Sequence, residues 1–278
     1  MKPTSDLSGL YRNYPAYPWV EDEDTRTYLD AAWAGESRIK IYVASGYTHL
    51  QAVVNAAHHD FSTHVFGFRD RDFGASNRKR WKEEAVTVLA GDAHELENFL
   101  LDAEAIASCE VNTSGLNAAQ IEHELLAIAQ QLPWWMSCRR TITEMRDAVM
   151  NDFPGHPKYR EVSSQQQAEN AIFASPWWMN ALPSLHTTWG NRTTVSARLA
   201  QHEASFRAML TNHTWQQEFS GKEILQEIVT KVWTRKRPAD PAGRLEFVRA
   251  IAEAQRDQKR LPPELTELRT AILSRIGR

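Results

Sequence analysis

Residues 65–72 read Val65-Phe66-Gly67-Phe68-Arg69-Asp70-Arg71-Asp72, an apolar run that opens directly into two carboxylates. In an extended segment residues i and i+2 point to the same side, so Asp70 and Asp72 can face one point. Two hard oxygen ligands at one point suit a divalent cation such as Mg2+. Turns are rich in aspartate for backbone reasons alone, so the pair by itself also fits a solvated strand-to-loop turn, and its surroundings must decide. Downstream, Glu95 and Glu97 stand at a helix start, and the intervening loop carries the basic run Asn77-Arg78-Lys79-Arg80-Trp81-Lys82. Carboxylates holding one or two Mg2+ ions stabilise the attacking and leaving oxygens of phosphodiester chemistry. Arg71, Arg78, Lys79, Arg80 and Lys82 are the matching candidates for nucleic-acid phosphates, although such a run is equally a solvated helix face.

These residues need elements to position them. Ile39-Lys40-Ile41-Tyr42-Val43 has the β-branched and aromatic content of a strand. Ala44-Ser45-Gly46 turns the chain, and Thr48 to His58 places Leu50, Val53, Val54 and Ala57 on one helical face. The strand ending at Phe68 follows, then a strand over Val86-Thr87-Val88-Leu89. Asp92-Ala93-His94-Glu95 has the form of a capping box for the next helix. Residues 38–108 therefore alternate strand and helix, which predicts a small parallel α/β sheet. In open sheets of this kind ligands bind beyond the C-terminal strand ends, where Ala44 to Gly46, Asp70, Asp72, Glu95 and Glu97 would all lie.

Before this domain, residues 1–37 form an aromatic arm (Tyr11, Tyr14, Tyr17, Trp19) followed by a short helix over Thr25 to Ala34. After it, apolar residues recur at helical spacing over Ala118 to Leu132, Thr141 to Met150, Ser196 to Leu210, Lys222 to Trp233, Arg244 to Arg256 and Pro263 to Ile276. Proline-containing breaks fall at Pro154-Gly155-His156-Pro157 and Pro238-Ala239-Asp240-Pro241. The expected architecture is an α/β domain over 38–115 with a mostly helical C-terminal region over 116–278.

The net charge of −3 excludes a uniformly basic nucleic-acid binder and leaves room for a local basic patch. The two cysteines, Cys109 and Cys138, have no C-x-x-C spacing, which argues against a disulfide framework or a thiolate zinc site. No apolar run reaches the roughly 18–20 residues that span a bilayer, so a soluble cytoplasmic protein is expected. His58, His59, Asp60 and His64 are explained by a helix end and its loop. Gly221-Lys222 lacks the upstream glycine and the following Ser/Thr of a Walker motif. The tryptophan pairs Trp134-Trp135 and Trp177-Trp178 are expected in a helical core or at an interface.

Phe66-Gly67-Phe68-Arg69-Asp70-Arg71-Asp72-Phe73, with Leu96-Glu97-Asn98-Phe99-Leu100-Leu101, resembles the Toprim-type domain of overcoming-lysogenization-defect-related nucleases. It is closer still to the Toprim-like effector group of the PARIS anti-phage system, which Ser220-Gly221-Lys222-Glu223-Ile224-Leu225 and Leu261-Pro262-Pro263-Glu264-Leu265 also resemble. That resemblance implies Asp70 and Asp72 as the Mg2+-binding pair and Glu97 as a further acid of the site. It also implies an abortive-infection nuclease that is held inactive by an ABC-type ATPase partner. Once released, such an effector self-associates and cuts host RNA, with tRNA as the target. Toprim domains end their first strand in a glutamate followed by glycine. Here Val43 is followed by Ala44, so Ala44 occupies the expected glutamate position and the chain is expected to be weak or inactive, by natural loss or by substitution. The alternative is a degenerate, non-catalytic Toprim subunit that serves binding or sensing.

Overall fold

The computed structural model of the chain describes residues 7–60, 64–71, 73, 88–91, 93–149, 156–176, 178, 189, 191–234 and 241–276. As the alternation of patterns predicts, a small parallel sheet near the N-terminus is followed by a largely helical region. The elements around the sheet are α1 (Leu7–Leu10), β1 (Tyr17–Val20), α2 (Glu23–Ala32), β2 (Tyr42–Val43), α3 (Tyr47–Asp60), β3 (Val65–Arg69) and β4 (Val88–Ala90). All pairings are parallel and the strand order is β2-β1-β3-β4.

The sheet contains a strand that the sequence pattern hides. Tyr17–Val20, placed in the aromatic arm by its composition, is an interior strand, paired with β2 through Trp19↔Tyr42 and with β3 through Tyr17↔Val65 to Val20↔Phe68. Proline in an interior strand removes a ladder donor. Here Ala16 donates to Arg38 O and accepts from Lys40 N, and Ala44 N donates to Val20 O, so the even-numbered residues of β1 face β2. Pro18 shares that side, and its missing N–H falls between the isolated bridge Ala16↔Ile39 and the short β2. The ladder to β3 is untouched. The Ile39 to Val43 strand is accordingly reduced to Tyr42–Val43.

Parallel crossovers are right-handed. The chain moves from β1 outward to β2 and then back across β1 to β3, so α2 and α3 belong on opposite faces. Leu50, Val54 and Ala57 of α3 pack with Tyr17, Trp19 and Val65 on one face. On the other, the Arg275 guanidinium stands 5.8 Å from the Phe66 ring centroid. Arg275 belongs to the Pro263–Ile276 helix, so that helix reaches the face opposite α3.

By compactness the chain divides into Met1–Ile121 with Val229–Arg278, and Glu122–Ile228. The expected helical region over 116–278 is thus split: its last fifty residues belong to the α/β unit, and the middle forms a separate helical unit. In the first unit the Pro241–Asp257 helix packs on α2. There the buried Tyr28 hydroxyl donates to Gln255 Oε1 at 2.7 Å, and Gln255 Nε2 donates to Phe99 O at 2.7 Å. In the second, the Pro133–Val149 helix packs against the Arg192–Thr211 and Gln165–Phe173 helices. Trp135, Met136, Ile142 and Met145 are buried there, as are Val195, Leu199 and Phe206, at the spacing of one helical face. The expected tryptophan packing holds for Trp135 and Trp178, both buried; Trp177 lies outside the described residues. Among those residues no helix is long and apolar enough to cross a membrane.

Candidate functional site

In a doubly wound sheet the ligand crevice lies at the C-terminal strand ends where the strand order reverses. Here β1 connects outward to β2 while its neighbour β3 leads to β4 on the other side, so the switch point lies between β1 and β3. Val20 is level with Phe68. The residues that follow are Glu21 on one side and Arg69 on the other, with neighbouring strands about 4.8 Å apart, and Asp70 comes one residue later as the chain leaves β3. Continuation of the ladder fixes both exits, since Gly46 N donates to Glu21 O at 3.0 Å and Gly91 N to Arg69 O at 3.3 Å.

Asp70 is held from a third element. Leu96 opens a 3-10 turn, Leu96–Leu100, and its backbone N–H donates to Asp70 Oδ1 at 2.9 Å. A hydrogen bond to the charged form favours an ionised carboxylate. The turn is capped from Glu95, whose N–H donates to Asn98 Oδ1 at 2.8 Å in a capping box. The expected box began three residues earlier; its Asp92 lies outside the described residues. Arg71 is buried, and Phe73 packs on the buried His94 with ring centroids 4.5 Å apart. Arg71, a candidate for nucleic-acid phosphates, is 5 % exposed. Asp72, Arg78, Lys79, Arg80 and Lys82 lie outside the described residues.

Glu97 is 1 % exposed, and its Oε1 accepts from Arg244 Nη2 at 3.0 Å. Arg244 also pairs with Asp24 in the first turn of α2, next to Asp22, which caps that helix by accepting from Thr25 N at 2.9 Å. The acid expected to stand at the edge of the site is thus tied down by an arginine from the C-terminal part of the chain.

Position 44 differs most from expectation. Ala44 follows β2, the second strand of the sheet, and is 8 % exposed in an apolar cluster with Tyr17, Trp19, Leu50, Val54, Ala57 and Val65. A glutamate there would bury a carboxylate among hydrocarbon. The turn it opens has Ser45 at φ +57° and Gly46 at φ +114°, the second being a conformation that glycine alone adopts without strain. The strand that comes first is β1, and the residue after it is Glu21. The signal that could have found it is the same one that marked β3: a short buried run, Tyr17-Pro18-Trp19-Val20, opening into acids.

Glu21 and Asp70 leave adjacent strands, and each is a hard oxygen donor of the type Mg2+ takes, typically one or two carboxylates with water and phosphate oxygens completing its shell. Among the described residues, no three His, Cys, Asp or Glu side chains form a group that could hold a metal. His58 Nε2 lies 2.6 Å from Val65 O and ties α3 to β3. Lys222 occupies the first turn of the Gly221–Val232 helix. Searches of family models and of curated proteins found no match to the chain.

Proposed function

We propose that the chain is a Mg2+-dependent nuclease of the Toprim type, with Glu21 and Asp70 as its working carboxylates and Asp72 as the second acid of the motif. The observation that supports this reading is that Glu21 and Asp70 directly follow β1 and β3, the two strands that flank the switch point. The glutamate that Toprim domains carry after their first strand is matched by Glu21, because Tyr17–Val20 is the first strand. Asp22 stands where the family has glycine, and here it caps α2. No glutamate is then needed at position 44, and the chain as written is competent.

Glu21, Asp70 and Asp72 would hold the ion. When bound, Mg2+ supplies an activated water and neutralises charge on the leaving oxygen. The protein's own part is orientation: the Leu96 N–H fixes one oxygen of Asp70, and the backbone ladder fixes the peptide at Glu21. The biological setting comes from the motif resemblance: a cytoplasmic anti-phage effector, restrained by an ABC-type ATPase, that pairs with itself on release and cuts host tRNA. The non-catalytic reading drew its support from Ala44, a residue that packs in the core.

The test incubates the full chain, Glu21→Gln and Asp70→Asn with total tRNA and Mg2+, with and without EDTA. Cleavage by the parent that EDTA abolishes, and that either substitution lowers by about a hundredfold or more, supports the reading. EDTA-resistant cleavage, or full activity in both variants, sinks it. Absence of cleavage by the parent, also after the ATPase partner is removed, returns the non-catalytic subunit to first place.

A further inference from the structure

The turn whose first amide holds Asp70 depends on outside support. Leu96–Leu100 is a five-residue 3-10 turn, and such turns have poorer hydrogen-bond geometry than an α-helix and are uncommon beyond three or four residues. Its last carbonyls have no donor within the turn itself. Three contacts from the C-terminal part of the chain grip the turn and its exit. Arg244 pairs with Glu97 at 3.0 Å, Gln255 Nε2 donates to Phe99 O at 2.7 Å, and Arg260 donates to both oxygens of Asp102 at 3.0 Å. Arg244 and Gln255 belong to one helix, Pro241–Asp257. Their separation is about three helical turns, so they share a face.

Gln255 is the buried member of the three, 1 % exposed, and its partners dictate its orientation. Phe99 O can only accept, so the amide nitrogen of Gln255 must face it. That leaves Oε1 toward the Tyr28 hydroxyl, 2.7 Å away, which must donate. Burial keeps the Tyr28 phenol protonated. The polar path therefore runs in one direction, from α2 through Gln255 into the turn.

We infer that Gln255 is a positioning residue: it anchors the carbonyl end of the 3-10 turn and thereby keeps the Leu96 N–H on Asp70 Oδ1. The anchoring stands on these contacts, and only its consequence for catalysis rests on the nuclease reading above. The path is short. Leu96 N–H reaches Asp70 at 2.9 Å, Glu95 N–H reaches Asn98 Oδ1 at 2.8 Å, and the next residue is Phe99. A turn this short opens as a unit, so losing the hold on Phe99 O is felt three residues earlier at Leu96.

An anchor can be told from plain structural support. Gln255→Met keeps the length of the side chain and removes its N–H donors. Tyr28→Phe costs stability as well, but it leaves Gln255 donating to Phe99 O. Support alone would make the two variants alike at Leu96; an anchor makes them differ.

The experiment follows hydrogen exchange of the Leu96 amide by NMR in the full chain, with tRNA cleavage measured in parallel. Gln255→Met is expected to speed Leu96 exchange about tenfold, the population change that loss of one such hydrogen bond gives, and to lower kcat for tRNA with KM unchanged. Tyr28→Phe is expected to change Leu96 exchange by less than about threefold. Gln255→Asn leaves the amide one methylene short of its partners, is expected to act as Gln255→Met does, and decides the matter if Gln255→Met does not fold. Unchanged Leu96 exchange in folded Gln255 variants, or an equal rise in Tyr28→Phe, overturns the anchor whatever cleavage does. Faster Leu96 exchange in Gln255→Met, beside a parent that cleaves no tRNA, upholds the anchor and counts against the nuclease reading.

Discussion

Ala44→Glu separates two readings of the same residue. If position 44 faced the cation, the substitution would add a ligand and raise activity. In the structure Ala44 is packed with Tyr17, Trp19, Leu50, Val54, Ala57 and Val65, so the new side chain must enter hydrocarbon or push it aside. Overpacking alone costs about 1–3 kcal/mol. A carboxyl kept neutral at pH 7.5, some three units above its unfolded pKa, adds about 4 kcal/mol at 1.36 kcal/mol per unit. Partial escape toward solvent reduces the sum, and about 3–5 kcal/mol is expected at pH 7.5. The sign follows from linkage: burial raises the folded-state pKa, so the native state holds a proton that the unfolded state releases. Stability therefore falls as pH rises from about 4.3 to the folded pKa. Ala44→Gln is the control, since it fills the same volume without titrating. Urea unfolding at pH 4.5, 6 and 7.5, followed by circular dichroism and tryptophan fluorescence, should give a Glu-minus-Gln difference near zero at pH 4.5. That difference should grow to about 2–4 kcal/mol at pH 7.5. An Ala44→Glu variant as stable as the parent at pH 7.5, or one that cleaves tRNA faster, would refute the placement of this residue in the core.

The tie between α2 and the C-terminal part can be tested by Tyr28→Phe. Burial, aided by the charge of Asp102, raises the Tyr28 phenol far above its usual range, so it donates at every working pH. Its removal strands Gln255 Oε1, and a loss of about 1–3 kcal/mol in urea unfolding is expected; a loss below 0.3 kcal/mol would deny the bond. In the helical unit, burial would raise the Glu144 carboxyl, but His202, Arg198 and Arg140 outweigh it and hold the group at about 2. The folded pKa being the lower one, this contribution is complete above the unfolded value and is lost as pH falls toward 2. With the carboxylate about a quarter exposed, screening leaves on the order of 1–2 kcal/mol. Glu144→Gln should remove that much at pH 7 and flatten the acid limb of the stability curve. Burial pushes Cys138 up to about 12 and raises Cys109 as well, so a thiol reagent at pH 8 should label neither cysteine in the native protein and both after unfolding.

What the sequence made legible depended on whether an element's pattern is local. β3 and the helices of the second half announce themselves by unbroken apolar runs or by helical spacing, and the Asp70 exit could be read from β3 alone. β1 could not, because Pro18 contradicts an interior strand until the partner on its donor-less side is known to be only two residues long. Missing β1 shifted the count of strands by one, so that Ala44 rather than Glu21 stood as the residue after the first strand. The role of Glu97 was hidden for another reason. Its partner Arg244 is 147 residues away in sequence, and no periodicity marks a pairing over that distance. The division of the chain was hidden likewise, since helices that cover the sheet and helices of the separate unit have the same amphipathic spacing.

The split of the α/β unit between the two ends of the chain bears on synthesis. A ribosome making this protein releases Glu21 and Asp70 early, but Arg244 and the helix over Phe66 emerge only after the whole intervening unit. At about 5–20 residues per second, the interval from residue 97 to residue 244 is roughly 7–30 s. During that time the nascent chain carries Asp24 and Glu97 without the arginine that pairs with both, and Phe66 without Arg275 beside its ring. A truncated product stays in that condition permanently. Under the nuclease reading proposed above, unfinished copies would lack part of the unit that surrounds the site.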